Sequence, residues 1–319
     1  MRPSTAAHTT RPVLENRPTR TGRPGSGPRN ALMVPLVLWR ACRPRQWLKN
    51  LLVFAAPATA GVLFDVSVLF TCLAVFVLFC MAASGTYLLN DVRDVHSDRQ
   101  HERKRHRPVA SGALPVPVAV TFGVLFCLAA PSAAMALGEP LLTTLVGGYV
   151  LLTLAYTWYL KNVVIGDLIT VAGCHVVRAA AGGVAVGVPL TSWFVLVVSL
   201  AALLVVVGKR EAELRAGGEE AVPVRATLWA YTPSYLAQTR SMVSAAMIVT
   251  YCLWALDGDA PHSAFHAASI VPFVMFVLRY NLLVDRGMGE EPEELALRDR
   301  PLQGILVALV ALIGLGIHL

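Results

Sequence analysis

This chain predicts an all-α integral membrane fold, a bundle of nine transmembrane helices, on three observations. The 319 residues are 55% hydrophobic and only 15% charged, whereas an ordinary soluble domain carries roughly 25% charged residues. Mean hydropathy is +0.59, which leaves more apolar surface than one core of this length could hide, so the excess needs lipid. Apolar runs of about 20 residues, the length that bilayer hydrocarbon demands, recur along the chain. Disordered, collagen-like and secreted disulfide-scaffold classes are excluded by the same composition.

Residues 1–30 are rich in Pro, Gly, Thr and Arg. They cannot form a core and are expected to be a disordered basic tail on one membrane domain, 31–319. The tail has no uninterrupted apolar stretch, so it is not a secretory signal. Residues 31–38 are too short to span and are followed by Arg40, Arg43, Arg45 and Lys49. They read as an interfacial helix or a prelude to the first span. Spans are then expected at 47–64, 67–90, 115–136, 140–160, 163–186, 191–209, 236–256, 265–284 and 301–318, the first of them interrupted by Pro57.

The connections alternate in charge. Those after even-numbered spans hold Arg93, Arg99, Arg103, Lys104, Arg105 and Arg107, then Lys161, then Lys209, Arg210, Arg215 and Arg225, then Arg286, Arg298 and Arg300. The others, around Asp65, Glu139, Val188 and 257–262, carry neither Lys nor Arg. The positive-inside rule then places the N-terminus in the cytoplasm and the C-terminus outside, in a multi-pass protein of the cell membrane. The net charge of +7 follows from topology, and no nucleic acid is required. Six scattered cysteines with no Cys-x-x-Cys spacing read as small buried hydrophobes.

Three polar clusters could carry chemistry. Asn90, Asp91, Asp94 and Asp98 close the second span. On a continuous helix the aspartates fall at i, i+3 and i+7 on one face, where like charges repel unless a cation sits among them. Oxygen ligands completed by diphosphate oxygens are the usual Mg2+ environment, and Lys104, Arg105 and Arg107 follow as candidate phosphate ligands. A solvated loop is the plainer alternative. Lys209, Arg210 and Glu213 close the sixth span; Lys209 and Glu213 stand at i, i+4, so the alternative is a surface ion pair. Asp167, His175 and Arg178 lie inside the fifth apolar run. An ionisable group there faces a partner or a polar cavity. Asp167 and Arg178 differ by about 20° around the helix, so an internal pair that fixes packing is one reading. The small residues Ala179–Gly183 after Arg178 permit close helix approach. Lys49, Tyr156, Lys161, Arg279 and Tyr280 lie at or near the same membrane face and complete the candidate substrate-binding set.

Asn-Asp-x-x-Asp-x-x-x-Asp ending a second span is similar to the first signature of the UbiA prenyltransferase superfamily, and Asn90–Asp98 carries it at every fixed position. The resemblance covers roughly residues 40–319. It implies a nine-helix UbiA-type bundle with polar cytoplasmic loops after the second and sixth spans, and Mg2+ held by Asp91, Asp94 and Asp98. Where the family usually has a second Asp-rich motif, this chain reads Lys209-Arg210-x-x-Glu213. Together with Arg43-Pro-Arg-Gln-Trp-x-Lys49-Asn50, Lys104-Arg-x-Arg107-Pro and Arg279-Tyr280, that departure resembles a narrower phosphoribosyltransferase branch. Such enzymes move 5-phosphoribose from phosphoribosyl pyrophosphate (PRPP) to a polyprenyl (decaprenyl) phosphate and release pyrophosphate, for arabinan precursors of the cell wall. The alternatives are prenyl transfer to an aromatic or quinone precursor, and a transporter that uses the aspartates as a cation site. No half-to-half repeat supports the transporter. A homo-oligomer is compatible with any of them.

Overall fold

The computed structural model describes residues 29–102, 104–216, 226–257, 263–290 and 292–318; residues 1–28 of the expected tail, and Arg103 and Arg225, lie outside them. Every regular element among the described residues is helical. A first helix, α1 (Arg29–Ala41), carries Arg40 in its last turn and exposes Leu36 and Trp39. That suits an element lying at the membrane interface.

The first expected span takes an unexpected form. Pro44–Phe54 is a 3-10 helix and only Ala55–Thr59, α2, is α-helical. Runs of 3-10 helix beyond 3–4 residues are uncommon. At the larger 3-10 rise, the two pieces together extend about 30 Å, close to the hydrocarbon thickness. Tight packing against a later helix explains how this irregular segment is held. A Cβ on Gly182 would lie 1.7 Å from the Val53 carbonyl oxygen, so only glycine admits this backbone.

The other spans form where apolar length predicts them. They are α3 (Val66–Arg93), α5 (Val116–Met135), α6 (Pro140–Trp158), α7 (Gly166–Ala185), α8 (Ser192–Ala216), α9 (Pro233–Leu256), α10 (Ser263–Asp285) and α12 (Arg300–His318). Among the described residues these eight helices are long and apolar enough to cross a membrane. The chain is thus a multi-pass membrane protein. Proline sets several starts, where its missing N–H is no loss: Pro140 follows Glu139, whose carboxylate caps the Leu141 N–H, and Pro233 follows Thr232, whose hydroxyl caps Tyr235.

Two apolar cores result. One gathers Val53 with α3, α5, α6 and α7 around Phe79, Leu142 and Tyr149. The other gathers α8, α9, α10 and α12 around Met247, Val277 and Leu283. Along the seam between α7 and α8, Leu168, Val206, Val207 and Leu236 pack together. At the basic end of the second half, buried Glu211 of α8 accepts from Arg240 of α9 at 2.7 Å and from Arg215 at 2.7 Å. Short elements complete that end: α4 (Val95–Gln100) and α11 (Pro292–Arg298). Within α11, Glu294 pairs with Arg298 at 2.8 Å.

Candidate active site

The expected one-face aspartate trio is split by a break in the helix. Asp94 adopts φ −88°, ψ 8°, and is at once the residue that ends α3 and the one that precedes α4. Asp91 and Asp98, both buried, share Arg107, whose Nη1 donates to Asp91 Oδ1 at 3.2 Å and to Asp98 Oδ2 at 2.7 Å. Arg43 also donates to Asp91 Oδ1. Asp94 turns the other way, to Lys161 Nζ at 2.7 and 3.1 Å. Asn90 Oδ1 accepts from Thr157 Oγ1 of α6 at 3.3 Å, which ties the motif's first residue to the neighbouring helix. Arg43 sits in the left-handed region at φ 55°, directly before Pro44, with its guanidinium 5.2 Å above the Tyr87 ring.

These groups face a cavity of about 390 Å³, walled by the 3-10 segment, α3, α4, α6, α7 and α8. Arg43, Lys49, Lys104, Arg107, Lys161, Arg178, Lys209 and Arg210 line it, against two lining carboxylates, Asp94 and Asp98. Three more carboxylates stand behind: Asp91, Asp167 and Glu213. The lining remains cationic, and low-dielectric walls concentrate that field on an anion. On the α7 wall, Arg178 donates to Asn50 Oδ1 at 2.7 Å, the Cys174 carbonyl at 2.9 Å and Tyr149 Oη at 2.7 Å. On the α8 wall, Arg210 donates to Asp167 Oδ2 at 2.9 Å, Glu213 Oε2 at 2.9 Å and Tyr156 Oη at 3.3 Å.

A model of the UbiA prenyltransferase family matches residues 50–296. The chain belongs to that family. Curated relatives of the same length range include the decaprenyl-phosphate phosphoribosyltransferase of Mycobacterium tuberculosis, 40% identical over 279 residues, covering 86% of this chain and 92% of that protein. The enzyme of the same name from Mycolicibacterium smegmatis is 38% identical over 309 residues, covering 93% of this chain and 96% of that one. Among solved structures, a UbiA homolog from Archaeoglobus fulgidus bound to GPP and Mg2+ superposes with TM-score 0.66 at 16% identity, over 89% of this chain and 100% of that one. At that identity the likeness establishes the UbiA fold.

Within this UbiA cavity the expected site residues divide. Lys49, Asn90, Asp94, Asp98, Lys104, Arg107, Tyr156, Lys161, Arg178, Lys209 and Arg210 line it. Asp91 lies just beneath, through its pairs with Arg43 and Arg107. Glu213 stands behind the lining as a partner of Arg210. Three more of the expected residues lie outside the cavity lining. Arg105 points outward to His106 at 3.4 Å, because the 3-10 turn Lys104–His106 aims it away from Arg107. Arg279 pairs with Asp299 at 2.7 Å, at the start of α12. Tyr280 is buried between α10 and α8, reaching the Val205 carbonyl at 3.5 Å and packing where Gly208 leaves room. Nor do Asp167 and Arg178 pair with each other: each has partners of its own. Arg43 and Gln46 also line the cavity and are outside the candidate set, although the Arg43-Pro-Arg-Gln46-Trp stretch carries the signal for them.

The residues present fit a hard divalent cation. Among the described residues no three His, Cys, Asp or Glu side chains converge as a ready-made metal cage, but Mg2+ characteristically takes one or two carboxylates plus substrate phosphate oxygens. Asp91 Oδ2 is buried and has no hydrogen-bond partner, an oxygen such an ion would satisfy.

Proposed function

We propose that this UbiA-family enzyme transfers 5-phosphoribose from PRPP to a polyprenyl phosphate, of decaprenyl type as its relatives' names indicate, and releases pyrophosphate. The observation that carries this is the cationic lining. A prenyl diphosphate with a neutral acceptor brings one anionic cluster. PRPP brings a diphosphate and a separate 5-phosphate, and the lipid acceptor adds a further phosphate. A cavity faced by eight Lys and Arg side chains, with Lys209 and Arg210 where the family's second aspartate motif stands, suits that larger load.

Asp91, Asp98 and Asp94 are the residues that would hold Mg2+, which when bound would neutralise and polarise the leaving pyrophosphate. Arg107 and Lys104 meet the same leaving group, the guanidinium through two parallel N–H donors. Lys49, Lys161, Lys209 and Arg210 hold the remaining phosphates and so fix the ribose ring. As the C1–O bond to pyrophosphate lengthens, the anomeric carbon gains oxocarbenium character. A phosphate oxygen of the lipid then bonds to C1 from the opposite face, inverting the centre, and pyrophosphate departs with the bonding pair. A phosphate monoester is already an anion near neutral pH, so no strong general base is needed. Catalysis is positioning plus preorganised charge. By the charge asymmetry of the loops the cavity opens to the cytoplasm, where PRPP is soluble, and the isoprenoid tail lies among the helices.

Purified protein supplied with labelled PRPP, Mg2+ and a panel of polyprenyl phosphates should form a labelled lipid. Absence of that lipid, with product instead from a prenyl diphosphate and an aromatic acid, would establish prenyl transfer in its place.

A further inference from the structure

Asp167 is fully buried at the first turn of α7 and stands behind the cavity lining, joined to it through Arg210. Both of its oxygens are committed. Oδ2 accepts from Arg210 Nε at 2.9 Å and from Thr227 Oγ1 at 3.4 Å. Oδ1 accepts from Tyr231 Oη at 2.7 Å. That phenol oxygen accepts in turn from the Ile165 N–H at 2.6 Å. Ile165 is β-branched yet lies at φ 66°, a conformation kept only where surrounding bonds over-determine it. Thr227 and Tyr231 belong to the α8–α9 connection, so three separate stretches of chain converge on one carboxylate.

The geometry of Arg210 gives this convergence a purpose. Its guanidinium is only 2% exposed, yet it lines the cavity. Nε is fixed by Asp167, one Nη by Glu213 and the other by Tyr156. Glu213 lies one helical turn from Arg210 on the same helix and travels with it. Asp167 on α7 and Tyr156 on α6 are therefore the fixed points that set where the fork aims. Two carboxylates also temper its charge, which leaves orientation as what the network controls most.

We propose that Asp167 and Tyr231 are positioning residues that aim Arg210 at a phosphate oxygen of the bound substrate, making the 226–231 segment a structural part of the site. This rests on the cavity being a diphosphate site, a property shared by phosphoribosyl and prenyl transfer. A plain α7–α8 staple is the alternative.

The two are separated by direct calorimetric binding of inorganic pyrophosphate to the full-length protein in detergent. Wild type, Asp167→Asn, Arg210→Met and the double variant are compared. Asp167→Asn should weaken binding about tenfold, the scale of one charge-assisted contact, and Arg210→Met at least as much. The double variant should bind no worse than Arg210→Met, because Asp167 acts only through that side chain. In the transfer assay Asp167→Asn should raise KM for PRPP with kcat within about twofold, the pattern of lost uniform binding. Tyr231→Phe, which keeps the ring and cannot unfold the segment by loss of bulk, should shift affinity in the same direction by about threefold. Equal affinities in wild type, Asp167→Asn and Tyr231→Phe would overturn it, as would losses that add in the double variant. Failure of the wild type itself to bind pyrophosphate would instead remove the diphosphate reading and the positioning role together.

Discussion

Arg107 Nη1 lies 2.7 Å from Asp98 Oδ2 while remaining 3.2 Å from Asp91 Oδ1. A single guanidinium thus stands between two buried carboxylates that would otherwise repel. Removing it should unbalance the site from within. Arg107→Ala should lower stability by about 2–3 kcal/mol, under the range for a fully buried pair because the arginine keeps some contact with solvent. Adding Asp98→Asn should recover part of that stability and none of the activity. Thermal unfolding beside a labelled-lipid assay checks both halves. Full activity in either variant would remove Arg107 from the leaving-group contacts.

Asp91→Asn changes one atom of a buried side chain and keeps its shape. Turnover should fall by at least about 100-fold, the scale of losing a preorganised charge contact, while the thermal midpoint moves by only a few degrees. Near-normal, Mg2+-dependent formation of labelled lipid would show that Asp91 Oδ2 is not a metal ligand.

Lys209 faces the cavity from the end of α8. Lys209→Ala should raise KM for one phosphate-bearing substrate about tenfold and change kcat much less, since a point charge on phosphate contributes equally to bound substrate and transition state. Unchanged KM for both PRPP and the polyprenyl phosphate would make Lys209 a structural residue of the wall.

Much of this was legible in the sequence, for stated physical reasons. Apolar length marked nine runs, eight of which are long helices among the described residues, and alternating loop charge marked the ends where the basic residues gather. The spacing of Asn90, Asp91, Asp94 and Asp98 located the cluster, but not the break at Asp94, since nothing in the residue types marks where a helix ends between two aspartates. Asp167 and Arg178 illustrate a different limit. Periodicity put them on one helix face, yet eleven residues of α-helix separate them by about 16 Å, so a shared stripe was never a contact. Their true partners, Arg210 and Asn50, are far away in the chain. Arg279 stands outside the cavity lining on the same ground: a cation inside a span needs a partner, and Asp299 supplies it from the next helix start.

Tyr231 links the site to alkaline pH. Burial, and then the neighbouring Asp167 carboxylate, push its phenol above the ordinary tyrosine value of 10.0. The folded state therefore retains that proton more strongly than the unfolded chain. The stability this contributes is fully present below about pH 10 and is lost as pH rises through the raised folded value. Thermal midpoints of wild type should fall with pH above 10, and Tyr231→Phe should show a shallower decline over the same window. Parallel slopes would mean that the phenol does not titrate differently on folding.

The contact between Gly182 and Val53 gives the sharpest test of the irregular first segment. A methyl at Gly182 would overlap the Val53 carbonyl oxygen, which is backbone and has no rotamer to yield. Gly182→Ala should destabilise by about 3 kcal/mol or more, the upper end of the overpacking range. Displacing the 3-10 segment would also carry Lys49, Gln46 and Arg43 away from the aspartates, so activity should fall with stability. Gly148 on α6 is the matched control. It is exposed, and nothing lies within 4 Å of the Cβ it would carry. Gly148→Ala should be neutral or gain up to about 1 kcal/mol from helix propensity. Comparing the thermal midpoints and turnover of the two variants separates a requirement for close approach from a general sensitivity of helical glycines. Equal effects at the two positions would mean that Pro44–Thr59 does not pack on α7 as described.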